Sequence, residues 1–556
     1  MKKTVRLIAV LGLTITATVA WAADSEKLSS EFRTSQSGRS ARGNVDVIVQ
    51  YKVAPTAEHH ARTTRFGGKL NNTFEHIKGA HYTIPQSAVQ ALADDPDVLY
   101  VSPNRPLQGM LDITAQTVGS TVARVTMGLD GTGVGVAVID SGMAEGMTQF
   151  QGSNGSSRIV YEQSFVSGQG PSDQFGHGTH VAGIVGAHKQ SYVYVGIAPG
   201  VNYINLRVLD QNGAGSDASV IAAIGQAIAL KAKYNIRVIN LSLGRPVFES
   251  AAKDPLCQAA EAAWKAGIVV VAAAGNEGRN NSAGTSGYGT IAAPGNDPYV
   301  ITVGAMKTNG TGTKIDDSIA SYSSKGPTLF DHTVKPDLVA PGNRVVSTLD
   351  SSLTLGKTYP GNQVETYYFT LSGTSMATPV VSGAAALLIQ QNPAITPDQV
   401  KAKLMKNASK NFPFSSTAVD PVTGQTYTSY YDIFTVGAGY LDILAAAQDK
   451  STITGAALSP SVAYNSTTGK VTMQNVNGSN VVWGANVVWG ANVVWGANVV
   501  WGATAVLPDN VVWGANVVWG ASSMSGFNVV WGANVVWGAS TNQAAEASTL
   551  SINGER

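Results

Sequence analysis

Gly135-Val-Ala-Val-Ile-Asp140-Ser-Gly142 is an apolar run that ends in an acid and two turn residues. Val136 to Ile139 show no polar alternation, which predicts a strand buried on both faces. Working outward, short apolar strands read at 204–209, 238–241, 268–273 and 300–303. Helices read between them, at 179–187, at 218–233 with Ile221, Ile224 and Ile228 at helical spacing, and at 257–266. A small-residue helix reads at 378–391. Thr396-Pro-Asp-Gln399 is a capping box with Pro in the first turn and opens one more helix. This alternation predicts an α/β fold over 112–450, a parallel sheet with helices on both faces. Ligands on such sheets bind beyond the C-terminal ends of the strands.

The chain has 556 residues, of which 13% are charged and 60 are Gly. That argues against a nucleic-acid binder, a coiled coil or a highly charged disordered chain. Lys and Arg number 37 against 36 Asp and Glu, a net charge of +1. Without Lys2, Lys3 and Arg6 it becomes −2, and neither value makes a platform for phosphates. One cysteine, Cys257, allows no intrachain disulfide and no Cys-based zinc site. Its apolar helical context reads as a buried structural thiol.

The beginning of the chain reads as an export signal. Lys2, Lys3 and Arg6 precede an apolar run at 7–19, and Ala20-Trp21-Ala22 is a small-residue cleavage site. Residues 1–22 are therefore expected to be removed and the protein to be secreted, with no membrane span. Residues 23–43, rich in Ser, Arg and Gly, read as a flexible lead. From 44 to 108, strands at 45–51, 69–76, 79–84 and 98–102 and a helix at 87–93 read as a small α+β module.

Three segments carry candidate chemistry. The first is Val136-Ala-Val-Ile-Asp140-Ser-Gly142, an acid at a strand end. The second is Gly176-His177-Gly178-Thr179-His180-Val181-Ala182-Gly183, a His in the first turn of a helix of small residues. His177 and His180 are a weak metal pair, since no further ligand pattern accompanies them. The third is Leu371-Ser-Gly373-Thr374-Ser375-Met376-Ala377, a Gly-flanked Ser heading an apolar helix whose N–H groups can hold an oxyanion. Ala377 excludes the Gly-x-Ser-x-Gly elbow of lipases. Asp130-Gly-Thr-Gly-Val-Gly135 precedes its strand, so it fails as a dinucleotide loop.

Together, in the order Asp, His, Ser, these segments resemble the subtilisin-like serine proteases, or subtilases, over about residues 112–450. The resemblance implies a subtilisin-like fold and a secreted serine endopeptidase acting through an acyl-enzyme. Ser375 would be the nucleophile, His177 the base and later the acid, and Asp140 the group that orients and stabilises the imidazole. Asn276, in Ala272-Ala-Ala-Gly275-Asn276, would be an oxyanion donor beside the Ser375 N–H. Ser242, Leu243, Gly244, Ala274 and Gly275 would bind the substrate backbone. Ala292 would floor the pocket, implying an uncharged side chain before the scissile bond. The 44–108 module would be a ferredoxin-like inhibitory propeptide, an intramolecular inhibitor cut off by the enzyme between Arg105 and Ile113. No metal or cofactor is required for the chemistry; structural calcium stays an option without nameable ligands, because the 187–195 stretch is short beside the family's calcium loop. Residues 344–370 look like an insertion, a hairpin near the cleft.

Residues 451–479 read as a linker and 540–556 as a tail. Between them, Asn-Val-Val-Trp-Gly-Ala occurs eight times in 480–539 and carries eight of the ten Trp residues. In an extended chain Val481, Trp483 and Ala485 share one face, and every unit repeats this because six is a multiple of two. Some β character is expected, with a surface or a second copy as partner. Two alternatives stay open at this point: a non-catalytic surface or binding protein acting through the Trp repeats, and an esterase on another α/β fold.

Overall fold

The computed structural model describes residues 43–104 and 112–474, apart from 189–193, 283, 421–422, 452 and 466–469. It also describes 27–29, 32, 498–500, 512–514 and 554–555. The signal sequence expected at 1–22, and residues 105–111 of the segment expected to contain the cut, lie outside the described residues. The chain divides into two units, 1–108 and 109–556.

The first unit is an antiparallel sheet in the order β2-β3-β1-β4, formed by β1 (Asn44–Tyr51), β2 (Lys69–Phe74), β3 (Gly79–Pro85) and β4 (Val98–Pro103). Helices Ala57–Arg65 and Val89–Ala93 follow β1 and β3, giving the split β-α-β of ferredoxin-like modules. The sequence reading missed the first helix, whose buried members are His59 and Thr63 and whose face is therefore not apolar. The lead at 23–43 is not wholly loose. Leu28 and Phe32 sit in this unit's core, and the Ser29 N–H donates to the Val101 carbonyl at 3.0 Å.

The second unit is built on an eight-stranded sheet. Its members are β5 (Gly135–Asp140), β6 (Ile159–Ser164), β7 (Asn202–Arg207), β8 (Ile236–Leu241), β9 (Val269–Ala273), β10 (Ile301–Lys307), β11 (Ser318–Ile319) and β12 (Leu338–Pro341). The order is β11-β10-β9-β8-β5-β7-β6, with β12 also on β10. Every pairing is parallel except β10 with the short β11. Every residue of β5 and β9 is buried, as their unbroken apolar runs predict. The segment 344–370 holds a three-stranded antiparallel sheet and a short helix, Thr354–Thr358, whose start bonds to the Gln174 and Phe175 carbonyls.

Residues 451–479 are more than a linker. Strands Ser461–Asn465 and Lys470–Gln474 pair there, Val462 joins the main core, and Ser459 enters a buried charge cluster. Asp337 is bonded to Lys335 at 2.7 Å and Lys401 at 3.1 Å, with all three fully buried, and the Ser459 hydroxyl donates to it at 2.5 Å. Charges so buried need every lone pair filled, so Ser459 completes the cluster. In the repeats, Asn498–Val500 pairs antiparallel with Val512–Gly514.

The helix expected at 378–391 begins earlier, at Thr374, and runs to Gln391 with Pro379 inside it. Pro379 has no N–H for the Ser375 carbonyl four residues back. The Ser242 hydroxyl supplies that missing donor, 2.8 Å from the Ser375 oxygen. Ser242→Ala therefore removes that donor from a half-buried carbonyl and is expected to cost about 1 kcal/mol in urea unfolding. Adding Pro379→Ala, which restores an N–H, should return part of that loss; equal losses in single and double variants would contradict the account.

Candidate active site

Asp140 is the last residue of β5, fully buried, with its carbonyl accepting from the N–H groups of Val208 and Leu209. His177 opens the helix His177–Gly186. The imidazole Nδ1 lies 2.8 Å from Asp140 Oδ1, which also accepts the Ser141 N–H at 2.7 Å. Gly178 permits this approach, because a Cβ there would press on the Gly142 carbonyl and stand 3.1 Å from the Asp140 Cβ.

Burial alone pulls the His177 pKa down, but the charge and hydrogen bond of Asp140, helped by Asp173, outweigh it. The net shift is upward from 6.5. His180, one turn on, is buried, with Nε2 2.9 Å from the Phe369 carbonyl; burial drives its pKa down to about 3. It therefore stays neutral near pH 7 and packs as a structural imidazole. Among the described residues no group of three or more His, Cys, Asp or Glu is placed to hold a metal ion.

Ser375 stands in the first turn of the helix Thr374–Gln391, where its N–H has no partner within the helix. Both helices run away from the C-terminal edge of the sheet. The His177 helix ends beside Ala198, whose N–H donates to the Val185 carbonyl. The Ser375 helix ends where Gln390 accepts the N–H groups of Asp130 and Gly131, ahead of β5. A Cβ on Gly383 would lie 3.2 Å from the Val185 carbonyl. Ser375 on one helix and His177 on the other each stand eight residues before that approach. No hydrogen bond joins the Ser375 hydroxyl to the imidazole among the described contacts.

Asn276 follows β9 and faces the same helix start. Its Oδ1 accepts the Thr374 N–H at 2.9 Å and the Thr374 hydroxyl at 3.1 Å. That fixes the amide with Nδ2 on the opposite side, 3.3 Å from where a Gly373 Cβ would stand. Thr374 also accepts the Gly275 N–H at 3.1 Å, which ties the two segments together. A cleft of about 420 Å³ is lined by Ser375, Asn276, Leu243, Gly244, Gly275 and Ala292 among others. Gly244 and Gly275 both lie against Ala292. The structure thus gathers these residues in one cleft, and gathers Asp140 with His177 at the neighbouring helix head. Ser242 and Ala274 are buried beside the cleft and do not line it. Arg245 and Glu277 also line it and were not picked out from the sequence.

Two positioning residues were likewise missed. One is Thr374, whose N–H and hydroxyl hold Asn276 Oδ1 and whose hydroxyl accepts the Gly275 N–H. Asp173 is buried and takes the N–H groups of Phe175, Gly176 and Thr179 and the hydroxyls of Ser141 and Thr179, at 2.6–3.0 Å. It anchors the loop that delivers His177, and the only sequence signal is an acid four residues before that His. Asp173→Ala orphans this set of donors and is expected to lower stability by about 3 kcal/mol. Denaturant unfolding measures it, and a loss near zero would contradict the role.

Comparison with known proteins agrees with this geometry. Residues 131–427 match the Subtilase family. The chain is similar to serine protease AprX of Bacillus subtilis strain 168, 37% identical over 61% of this chain and 76% of the relative. It is similar to subtilisin E of the same strain, 33% identical over 65% and 84%. It is also similar to subtilisin DY of Bacillus licheniformis, 36% identical over 58% and 93%. With the parallel sheet, the buried acid on its imidazole and a serine at the neighbouring helix head all accounted for, this chain belongs to the subtilase family.

Proposed function

We propose that the protein is a secreted serine endopeptidase made as a self-processing zymogen, with Ser375, His177 and Asp140 as its catalytic residues. The observation that carries this reading is the 2.8 Å contact between buried Asp140 and His177 Nδ1. With Nδ1–H donated to the carboxylate, Nε2 keeps its lone pair and is the base. It removes the Ser375 proton as the hydroxyl attacks a peptide carbonyl, then gives that proton to the leaving amine. Water repeats the cycle on the acyl-enzyme. The developing oxyanion is held by Asn276 Nδ2–H and the Ser375 N–H. Such hydrogen bonds tighten only when substrate is in place, which suits the open Ser375 hydroxyl.

The substrate backbone lies along Leu243-Gly244 on one side and Gly275 on the other, as an added strand, with Ser242 and Ala274 buried behind these segments. Its side chain before the scissile bond enters the cleft at Ala292, and the small neutral floor favours an uncharged group. The chemistry uses side chains and amides of this chain alone; calcium, if bound, has a structural part. Residues 1–22 direct export and are removed. The 44–108 module inhibits the enzyme until it is cut away. The Trp repeats attach the enzyme to a surface or to another copy.

Ser375→Ala should abolish casein hydrolysis and leave the 44–108 module attached when the exported protein is mass-mapped; normal maturation of that variant would rule out self-processing. Asn276→Leu should lower kcat by about 10²–10³-fold, a loss already established on subtilisin itself, with KM little changed. The pH profile tests the His177–Asp140 pair. The base works only when neutral, and its pKa is raised, so activity falls as pH drops through that raised value. Asp140→Asn removes the raising charge, so the acid limb moves to lower pH while kcat drops by about 10⁴-fold. An unmoved limb would mean that another group titrates.

A further inference from the structure

Beyond the repeats, Gly554 and Glu555 are seated in the second unit. The Glu555 side chain is only 4% exposed. Its Oε1 accepts the Ser321 N–H at 2.9 Å, the Ser321 hydroxyl, and Arg279 Nη2 at 3.0 Å. Lys307 Nζ stands 3.6 Å from Oε2. Arg279 is held to present that edge. Its Nε donates to Ser321 Oγ at 2.6 Å, its Nη1 to Asp420 at 3.0 Å, and its guanidinium lies 4.4 Å from the Tyr427 ring centre.

The backbone of Glu555 is read as well. One side-chain amide, that of buried Asn343, donates to the Glu555 carbonyl at 2.9 Å and accepts its N–H at 2.8 Å. Gly554 has φ of +72°, and a Cβ there would press on Ser372 Oγ and stand 2.7 Å from Arg344 Cγ. The pocket therefore selects glycine by shape and backbone conformation, then an acid by charge-assisted hydrogen bonds. With Gly554-Glu555 in place, Ser321, Asn343 and Ser372 are each at least nine-tenths buried. This pocket is not the substrate cleft, although Ser372 lies three residues before Ser375.

We propose that Arg279, Lys307, Ser321 and Asn343 form a receptor for a Gly-Glu peptide, and that its occupant is Gly554-Glu555 of the same chain. Residues 475–553, with the Trp repeats, are then held at both ends on the catalytic unit as a closed loop. Covalent linkage gives the occupant an effective concentration of roughly millimolar order, so modest intrinsic affinity fills the site. This inference does not depend on the peptidase reading.

The test uses the full chain carrying Ser375→Ala, so that no self-digestion intervenes. Hydrogen exchange is read at the Ser321 amide, which donates directly to Glu555. Glu555→Ala and Glu555→Gln should each speed that exchange at least tenfold. Adding the peptide Ser-Ile-Asn-Gly-Glu-Arg to the Glu555→Ala chain should restore protection; the same peptide with Gln for Glu, or Ala for Gly, should not. Unchanged exchange in Glu555→Ala, or equal rescue by the Gln peptide, overturns the site. Light scattering that shows a dimer with Glu555 and a monomer with Glu555→Ala places the occupant on a second copy and overturns the closed loop.

Discussion

The hydrogen bond between a fully buried carboxylate and the head of a helix of small residues is the constraint on which this molecule turns. Asp140 can sit without solvent at the end of a parallel strand only because an imidazole and the Ser141 N–H face it. The helix that carries the imidazole must come close, which requires glycine at 178. Its loop must be held from the far side, which Asp173 does with both carboxylate oxygens. Two buried acids with different neighbours thus perform different tasks. One faces the His177 imidazole, and the other takes backbone and hydroxyl donors.

A parallel sheet places the ends of neighbouring strands at one edge. β5 and β8 are adjacent, so Asp140 at the end of one and Ser242 just past the other share that edge. The Ser375 helix is fastened there through the Ser242 hydroxyl and the Thr374–Asn276 bonds. A proline inside that helix frees one carbonyl, and the neighbouring segment supplies its donor. Thus the segment that leads into the cleft at Leu243 and Gly244 also locks the helix that carries Ser375.

Much of the site was legible because its residues lie in short, compositionally odd runs. An acid closing an apolar strand, a His between glycines and a Ser after Gly373-Thr374 stand out one by one, and their order tied them to a family. The helix Ala57–Arg65 escaped because its buried members are polar. Asp173 and Thr374 escaped because a single Asp or Thr looks like any capping residue until its partners are known. The 451–479 segment looked like a linker because its buried members among the described residues, Ala457, Ser459, Pro460 and Val462, are few and follow no apolar run, and the serine matters only beside Asp337.

The sequence by itself determined the α/β class, the strand–helix alternation and the identities of the chemical groups, since periodicity and local run composition are properties of neighbours along the chain. Only the tertiary structure decided which groups meet. Asp140 and His177 are 37 residues apart, Asn276 and Thr374 are 98, and Ser321 and Glu555 are 234. Contacts over such separations leave no local pattern. They exist because closing each loop is repaid by burying charge and amide groups that have no other partner once water is gone.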